Sequence, residues 1–443
     1  MLLVCIFCMF FIITSLYIWK KSQIFFLAYL ILFVYTIFTQ IGYLLYPRDV
    51  NIVSHYQYYG YDAFFEYWLY IFLSFIFIFI LFVILYDKKY KPTLRIEVST
   101  LQKKDSRNLL YIVIILLYEL VLIYFLIKNY SSASYYGQAI LKHNTVWFYL
   151  FNINGIVLLS IIYKTIIEFD KTRKICYIII FLFSISVFLI TALKFGQRIE
   201  VLTWLLSLIV FLWYFFKNKI GGKARIFKKY VFIIGFIGIM FSQVVRSARG
   251  KHIKTLAAYL TVMVRPKTYL SLFQLKTLIF QDYLVPSLTL LTSMKYDIIF
   301  PGKVLESNLT CLVPFINHHS LGSILSRIID PQGWGGYGYY ILTEGYNFMG
   351  FAGFIYGAIV FTIGFRILES FFTNTNDKLF NAYMYAIIAF LSIYVIRGQS
   401  MMFLKGLYFY FLPAVILFKL ISRKRVYLVK RRNKIRVTYS DHK

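Results

Sequence analysis

The constraint that governs this chain is the length of its unbroken apolar runs. They cover approximately 2–19, 24–46, 67–86, 109–127, 146–163, 175–193, 199–216, 230–246, 347–366, 380–396 and 406–421. Each is close to the ~20 residues needed to cross ~30 Å of hydrocarbon. A backbone in lipid must pair all its peptide groups internally, which leaves helices or a closed barrel. Barrel strands alternate apolar and polar residues, and these runs do not. The composition, 60% hydrophobic and 21% aromatic, also exceeds what a soluble core absorbs. The expectation is an all-α, polytopic transmembrane helical protein with about eleven spans, one either way.

Charge gives the orientation. The 48 Lys and Arg against 18 Asp and Glu leave a formal net charge of +30. Most cations punctuate the gaps between apolar runs, so nucleic acid is not the expected partner. Basic gaps occur at Lys20-Lys21, Lys88 to Arg107, Lys164 to Lys174, Lys217 to Lys229 and Arg423 to Arg436. They alternate with the poorly basic gaps Pro47 to Glu66, Lys128 to Thr145 and Lys194 to Arg198. Cytoplasmic loops carry the excess of Lys and Arg. This predicts N-terminal transmembrane helices over 1–245, one large periplasmic loop over 246–346, C-terminal helices over 347–421 and a basic cytoplasmic tail over 422–443. The N-terminus is expected outside, and the Lys-Arg-Arg run at 430–432 is expected to meet membrane lipids.

The large loop is the least lipid-like part of the chain. It carries Pro266, Pro286, Pro301, Pro314 and Pro331, then Gly333, Gly335, Gly336 and Gly338. Loops of this length are kept for a function. The four cysteines supply no framework, since Cys5 and Cys8 lie in an apolar run and Cys311 alone lies in the loop. No metal site is expected, and no cofactor.

Several cations stand on the side where the positive-inside bias allows few. Lys194 and Arg198 frame a very short turn, and Arg246 and Arg249 open the loop three residues apart. Arg265 follows on an amphipathic stretch, and Arg397 opens the last external turn in Ile-Arg-Gly-Gln. An arginine fork matches phosphate oxygens and keeps its charge. Such a set at the outer boundary suits a lipid diphosphate headgroup, and the same clamp stabilises that diphosphate as it leaves. Arg249 is the residue expected to carry this catalytic role. Two groups are candidates for the acceptor's proton. Glu344 stands where the loop returns to the membrane, and His319 belongs to the His318-His319 pair. Within the membrane, Glu119 is expected to pair with a cation on a neighbouring helix, with a proton relay as the alternative.

Three patches carry a resemblance: Phe195-Gly196-Gln197-Arg198 opening a span, Val245-Arg246-Ser247-Ala248-Arg249-Gly250 opening the loop, and Thr343 to Gly353 closing it. In order and in layout the chain resembles the Wzy-type O-antigen (oligosaccharide repeat-unit) polymerases, with Met349 interrupting the usual Phe-Gly of the third patch. The resemblance implies a glycosyltransferase of lipopolysaccharide biosynthesis in the bacterial inner membrane. Its substrate is undecaprenyl-diphosphate-linked oligosaccharide, and undecaprenyl diphosphate leaves. A flippase and a chain-length regulator are the implied partners. An O-antigen ligase shares this layout, with lipid A-core as acceptor. A polysaccharide flippase or exporter without chemistry is disfavoured because the spans show no twofold internal repeat. A membrane-bound acyltransferase would want a histidine inside the membrane, whereas His143 and His252 stand near span ends.

Overall fold

The computed structural model describes residues 2–45, 50–87, 94–100, 108–128, 153–164, 175–195, 198–219, 289–312, 321–322, 324–325, 339–372, 377–422 and 424–430. The expected apolar runs become helices at Leu2–Lys21, Gln23–Leu45, Val50–Asp87, Asn108–Lys128, Ile153–Lys164, Cys176–Phe195, Arg198–Lys219, Gly353–Phe372 and Lys378–Ile396. A further helical stretch runs over 402–422. Among the described residues, four helical segments are long and apolar enough to cross a membrane: Leu2–Lys21, Phe65–Tyr86, Ile341–Ser370 and Met402–Lys419. The protein is therefore a largely helical, multi-pass membrane protein. The run at 230–246 lies outside the described residues, as do much of the loop and the end of the tail.

The first helix shows why these segments need lipid. Phe7, Phe11 and Ile18 are buried against the protein, while Leu2, Met9, Ile13 and Leu16 on the other face are exposed. A helix apolar all round belongs in a bilayer. Its inner face joins an aromatic core with Gln23–Leu45, Val50–Asp87 and Gly353–Phe372. Phe7 meets Phe75 at 5.0 Å, Phe25 meets Phe82 at 4.7 Å, and Phe25 meets Phe361 at 5.5 Å between ring centroids. Lys378–Ile396 is the central helix, buried over most of its circumference. Trp204 stacks on its Phe390 at 4.2 Å and Tyr214 on its Tyr385 at 4.1 Å.

Hydrogen bonds mark the two ends of this bundle. At one end Ser22 joins the first two helices, its Oγ accepting from the Phe25 N–H at 3.0 Å as a helix cap. The same hydroxyl donates to Glu369 Oε1 at 2.6 Å, and Tyr86 donates to Glu369 Oε2 at 2.7 Å. Arg366 lies over the Tyr86 ring at 4.3 Å. At the other end Thr36 and Tyr340 hydroxyls are 2.7 Å apart, and Tyr70 donates to Leu342 O at 2.9 Å. The chain thus begins at the end where the large loop returns.

The all-α class stands, and three details depart from a plain row of spans. One small ribbon joins the helices: β1, Leu94–Thr100, pairs antiparallel with β2, Lys424–Lys430, with Ile96 opposite Leu428 and Val98 opposite Val426. β1 alternates apolar and polar residues, which suits a half-exposed ribbon, and β2 holds the β-favouring run Val426-Tyr427-Leu428-Val429. Their pairing brings two of the basic gaps together, at the Glu369 end. Next, the gap Pro47 to Glu66 is helical from Val50, continuous with the following span in one 38-residue helix. Finally, the span expected over 347–366 is cut at Gly350, leaving a short helix Ile341–Met349 before the span Gly353–Phe372. Gly350 has φ +60° and ψ −142°, a backbone state that only glycine adopts at little cost.

The last span also departs from a plain helix. Leu407–Phe411 forms a π-helical turn. Pro413 follows two residues later, where its ring would crowd the carbonyl of Phe409 in regular α geometry. The wider turn accommodates it.

Candidate functional site

The short helix Ile341–Met349 is where the loop meets the bundle, and its residues explain one another. Gly345 and Gly353 touch backbone to backbone. A Cβ on Gly353 would lie 1.8 Å from Gly345 O, and one on Gly345 would lie 2.3 Å from Gly353 O. Only hydrogen fits at this corner. Asn347 then fastens the loop: its Nδ2 donates to Ile298 O at 2.6 Å, and its own carbonyl accepts from the Phe300 N–H at 2.8 Å. Tyr339 donates to Asn347 Oδ1 at 3.0 Å. Burial, and secondarily the Glu344 carboxyl, holds the Tyr339 phenol well above its ordinary range, so it remains a donor. Tyr346 donates to Asp297 Oδ1 at 3.1 Å.

Glu344 lies at the centre, fully buried. Its Oε1 accepts from Asn308 Nδ2 at 2.8 Å, from the Tyr356 hydroxyl at 2.9 Å and from the Ser400 hydroxyl at 2.6 Å. Its Oε2 accepts from the Ser400 backbone N–H at 2.6 Å. Asn308 comes from the loop helix Pro301–Leu312, Tyr356 from the span, and Ser400 from the turn after the central helix. Gln399 in that turn reaches back, Nε2 donating to Ser307 Oγ at 2.8 Å and to Asn308 Oδ1 at 3.3 Å. A buried carboxyl is expensive without partners; here four donor contacts meet it.

Arg397 begins the same turn at the C-terminus of the central helix, where a cation suits the helix dipole. It is half-buried, with its guanidinium carbon 5.8 Å from the Tyr35 ring centroid. Its Nη1 is buried and has no hydrogen-bond partner among the described residues, and the same is true of Gln399 Oε1. A buried guanidinium donor left unpaired is costly unless an anion or water completes it.

Of the expected site residues, Glu344 and Arg397 therefore meet at one place, joined through the Arg397–Ser400 turn. Lys194 lies near the end of the Cys176–Phe195 helix and Arg198 opens Arg198–Lys219, so the two flank the same short connection in the sequence. Arg246, Arg249, Arg265 and His319 lie outside the described residues. Glu119 is buried, and its Oε2 has no hydrogen-bond partner among the described residues. Asn308, Tyr356, Gln399 and Ser400 were not anticipated as site residues. For Gln399 and Ser400 a signal existed, a polar pair one glycine after Arg397 between two apolar runs. Tyr356 is one of 40 tyrosines and carries none.

A family model described as O-antigen polysaccharide polymerase Wzy matches residues 1–428 of the 443. No curated protein and no solved structure matches the chain.

Proposed function

The chain belongs to the O-antigen polysaccharide polymerase Wzy family, and from that premise we propose that it joins undecaprenyl-diphosphate-linked oligosaccharide repeat units at the periplasmic face of the bacterial inner membrane. The hydroxyl of a new lipid-linked unit attacks the anomeric carbon of the growing glycan. The new C–O bond forms as the bond to diphosphate breaks, and undecaprenyl diphosphate leaves with the electron pair. The hydroxyl proton passes to a base, with His319 and Glu344 the candidates from sequence, or to water or phosphate.

The observation that carries this reading is Arg397, whose Nη1 is buried and unpaired among the described residues beside the Glu344 cluster. A diphosphate oxygen would complete that donor, and the charge that develops on the leaving group would be met where water is scarce. Arg246, Arg249 and Arg265 on the loop, with Lys194 and Arg198 on the neighbouring turn, extend the clamp in this proposal. Positive charge held by the protein takes the place that a metal ion occupies in other transferases.

The cell-surface glycan after deletion of the protein tests it. A core carrying a single repeat unit, with the ladder gone, is the expected result. Loss of every repeat from the core, with polymer accumulating on the carrier lipid, would make the protein a ligase. Unchanged linkage with repeats trapped on the cytoplasmic side would make it an exporter.

A further inference from the structure

A group that takes a proton from a sugar hydroxyl must come within about 2.6–3.2 Å of it. Glu344 is fully buried, and both its oxygens are already engaged. Two of its partners, the Asn308 amide N–H and the Ser400 backbone N–H, can only donate. A substrate hydroxyl would have to dismantle the cluster to reach it. What the cluster does instead is tie together three segments remote in sequence. Asn308 is 36 residues from Glu344, Tyr356 is 12, and Ser400 is 56. Gln399 closes the circle by donating to Ser307 and Asn308. The turn that begins with Arg397 is thus held from the loop side and from the span side.

We propose that Glu344 is a positioning residue, which fixes the Arg397–Ser400 turn against the loop helix so that Arg397 stands at the leaving diphosphate, and that it does not take the proton. This rests on the function proposed above. A turn freed from Glu344 keeps its cation but loses its placement. Misplacement by about 1 Å costs on the order of 10²-fold in rate.

The geometry supplies a variant pair that separates positioning from proton transfer. In Glu344→Gln one oxygen becomes an amide N–H₂. The Ser400 backbone N–H cannot accept, so the new donor must take the Oε1 place and confront Asn308 Nδ2, another donor. Asn308→Asp turns that partner into an acceptor, and its second oxygen remains for Gln399. The double variant therefore restores the hydrogen bond and the net charge while the carboxylate moves to the other side of the bond.

The full-length protein in lipid nanodiscs would be given lipid-linked repeat units extracted from cells that lack it, and turnover followed across pH. Glu344→Gln is expected to lose roughly ten- to a hundredfold in kcat, with the shape of the pH profile kept. Asn308→Asp, which sets two carboxyls side by side, is expected to lose a similar factor. The double variant is expected to recover most of the loss, with a coupling well outside additivity. A double variant no better than Glu344→Gln, together with loss of the acidic limb of the pH profile, would overturn the proposal and make Glu344 the base. If Glu344→Gln does not fold, Ser400→Ala with Tyr356→Phe removes two donors and keeps the carboxyl. Lower kcat at unchanged KM is then expected, and normal turnover would overturn the proposal. Wild-type protein that leaves the units unjoined would refute the polymerase function instead. The thermal-stability cycle between positions 344 and 308 would still read the tie, and its absence would refute the tie.

Discussion

Gly353→Ala is the sharpest test of the corner that carries Glu344. The added Cβ would sit 1.8 Å from Gly345 O, and ordinary contact begins near 3.4 Å. The two backbones must therefore part by roughly 1.6 Å, because a carbonyl in a hydrogen-bonded helix cannot rotate away as a side chain can. Overpacking of this kind costs about 1–3 kcal/mol, and the rigidity of both partners places this case at the upper end. The functional effect is expected to be larger than the stability effect. Glu344 is next to Gly345, and catalytic groups tolerate displacements of only about 0.5 Å. A shift three times that should lower polymer output by on the order of 10²-fold. The assay is the surface glycan ladder at matched membrane protein level, beside thermal unfolding of the purified protein. Gly302→Ala is the control, since nothing lies within 4 Å of its added Cβ. It is expected to be neutral or stabilising by up to ~1 kcal/mol, with a normal ladder. A full ladder and unchanged unfolding for Gly353→Ala would refute the close-contact reasoning.

Three further outcomes are expected. Arg397→Ala should abolish in vitro joining of lipid-linked units, a loss of roughly 10²–10³-fold, and Arg397→Lys should fall between it and wild type because the fork is lost while the charge stays; equal activity in all three would remove Arg397 from the clamp. Tyr86→Phe takes the donor from Glu369 Oε2 and should lower unfolding stability by about 1–3 kcal/mol without changing the ladder pattern, so altered chain length in that variant would show that the Glu369 end does more than hold helices together. Reporters fused after Lys104, Lys171, Arg225 and Arg432 should read cytoplasm and one after Ser307 periplasm, and a cytoplasmic reading at Ser307 would refute the outward-facing site.

The patch from Thr343 to Gly353 shows how far motif reading goes. Its letters identified the family, and each of its glycines, with Glu344 and Asn347, now has a physical task. Gly345 and Gly353 allow contact, Gly350 turns the chain, Asn347 fastens the loop, and Glu344 gathers donors. The sequence pointed to Glu344 as a base because a lone acid beside glycines at a membrane boundary reads that way. Its burial and saturation favour the positioning role argued above. The strand pair was missed for a different reason: two seven-residue segments more than three hundred positions apart along the chain carry no local sign that they are partners.

What the sequence determined by itself was the class of the protein, where its apolar helices lie among the described residues, and the family. Those properties add up locally: transfer of each apolar side chain into lipid depends on its own chemistry, and a run of about 20 sums to a decision without knowledge of neighbours. What only the tertiary structure decided was which polar groups meet. Asn308 and Tyr356 look like ordinary loop and helix residues until packing brings them to Glu344, and the polar pair Gln399 and Ser400 gives no sign of which groups it will meet. A buried hydrogen bond chooses its partner by distance and direction within a few tenths of an ångström, and no spacing rule along the chain encodes that.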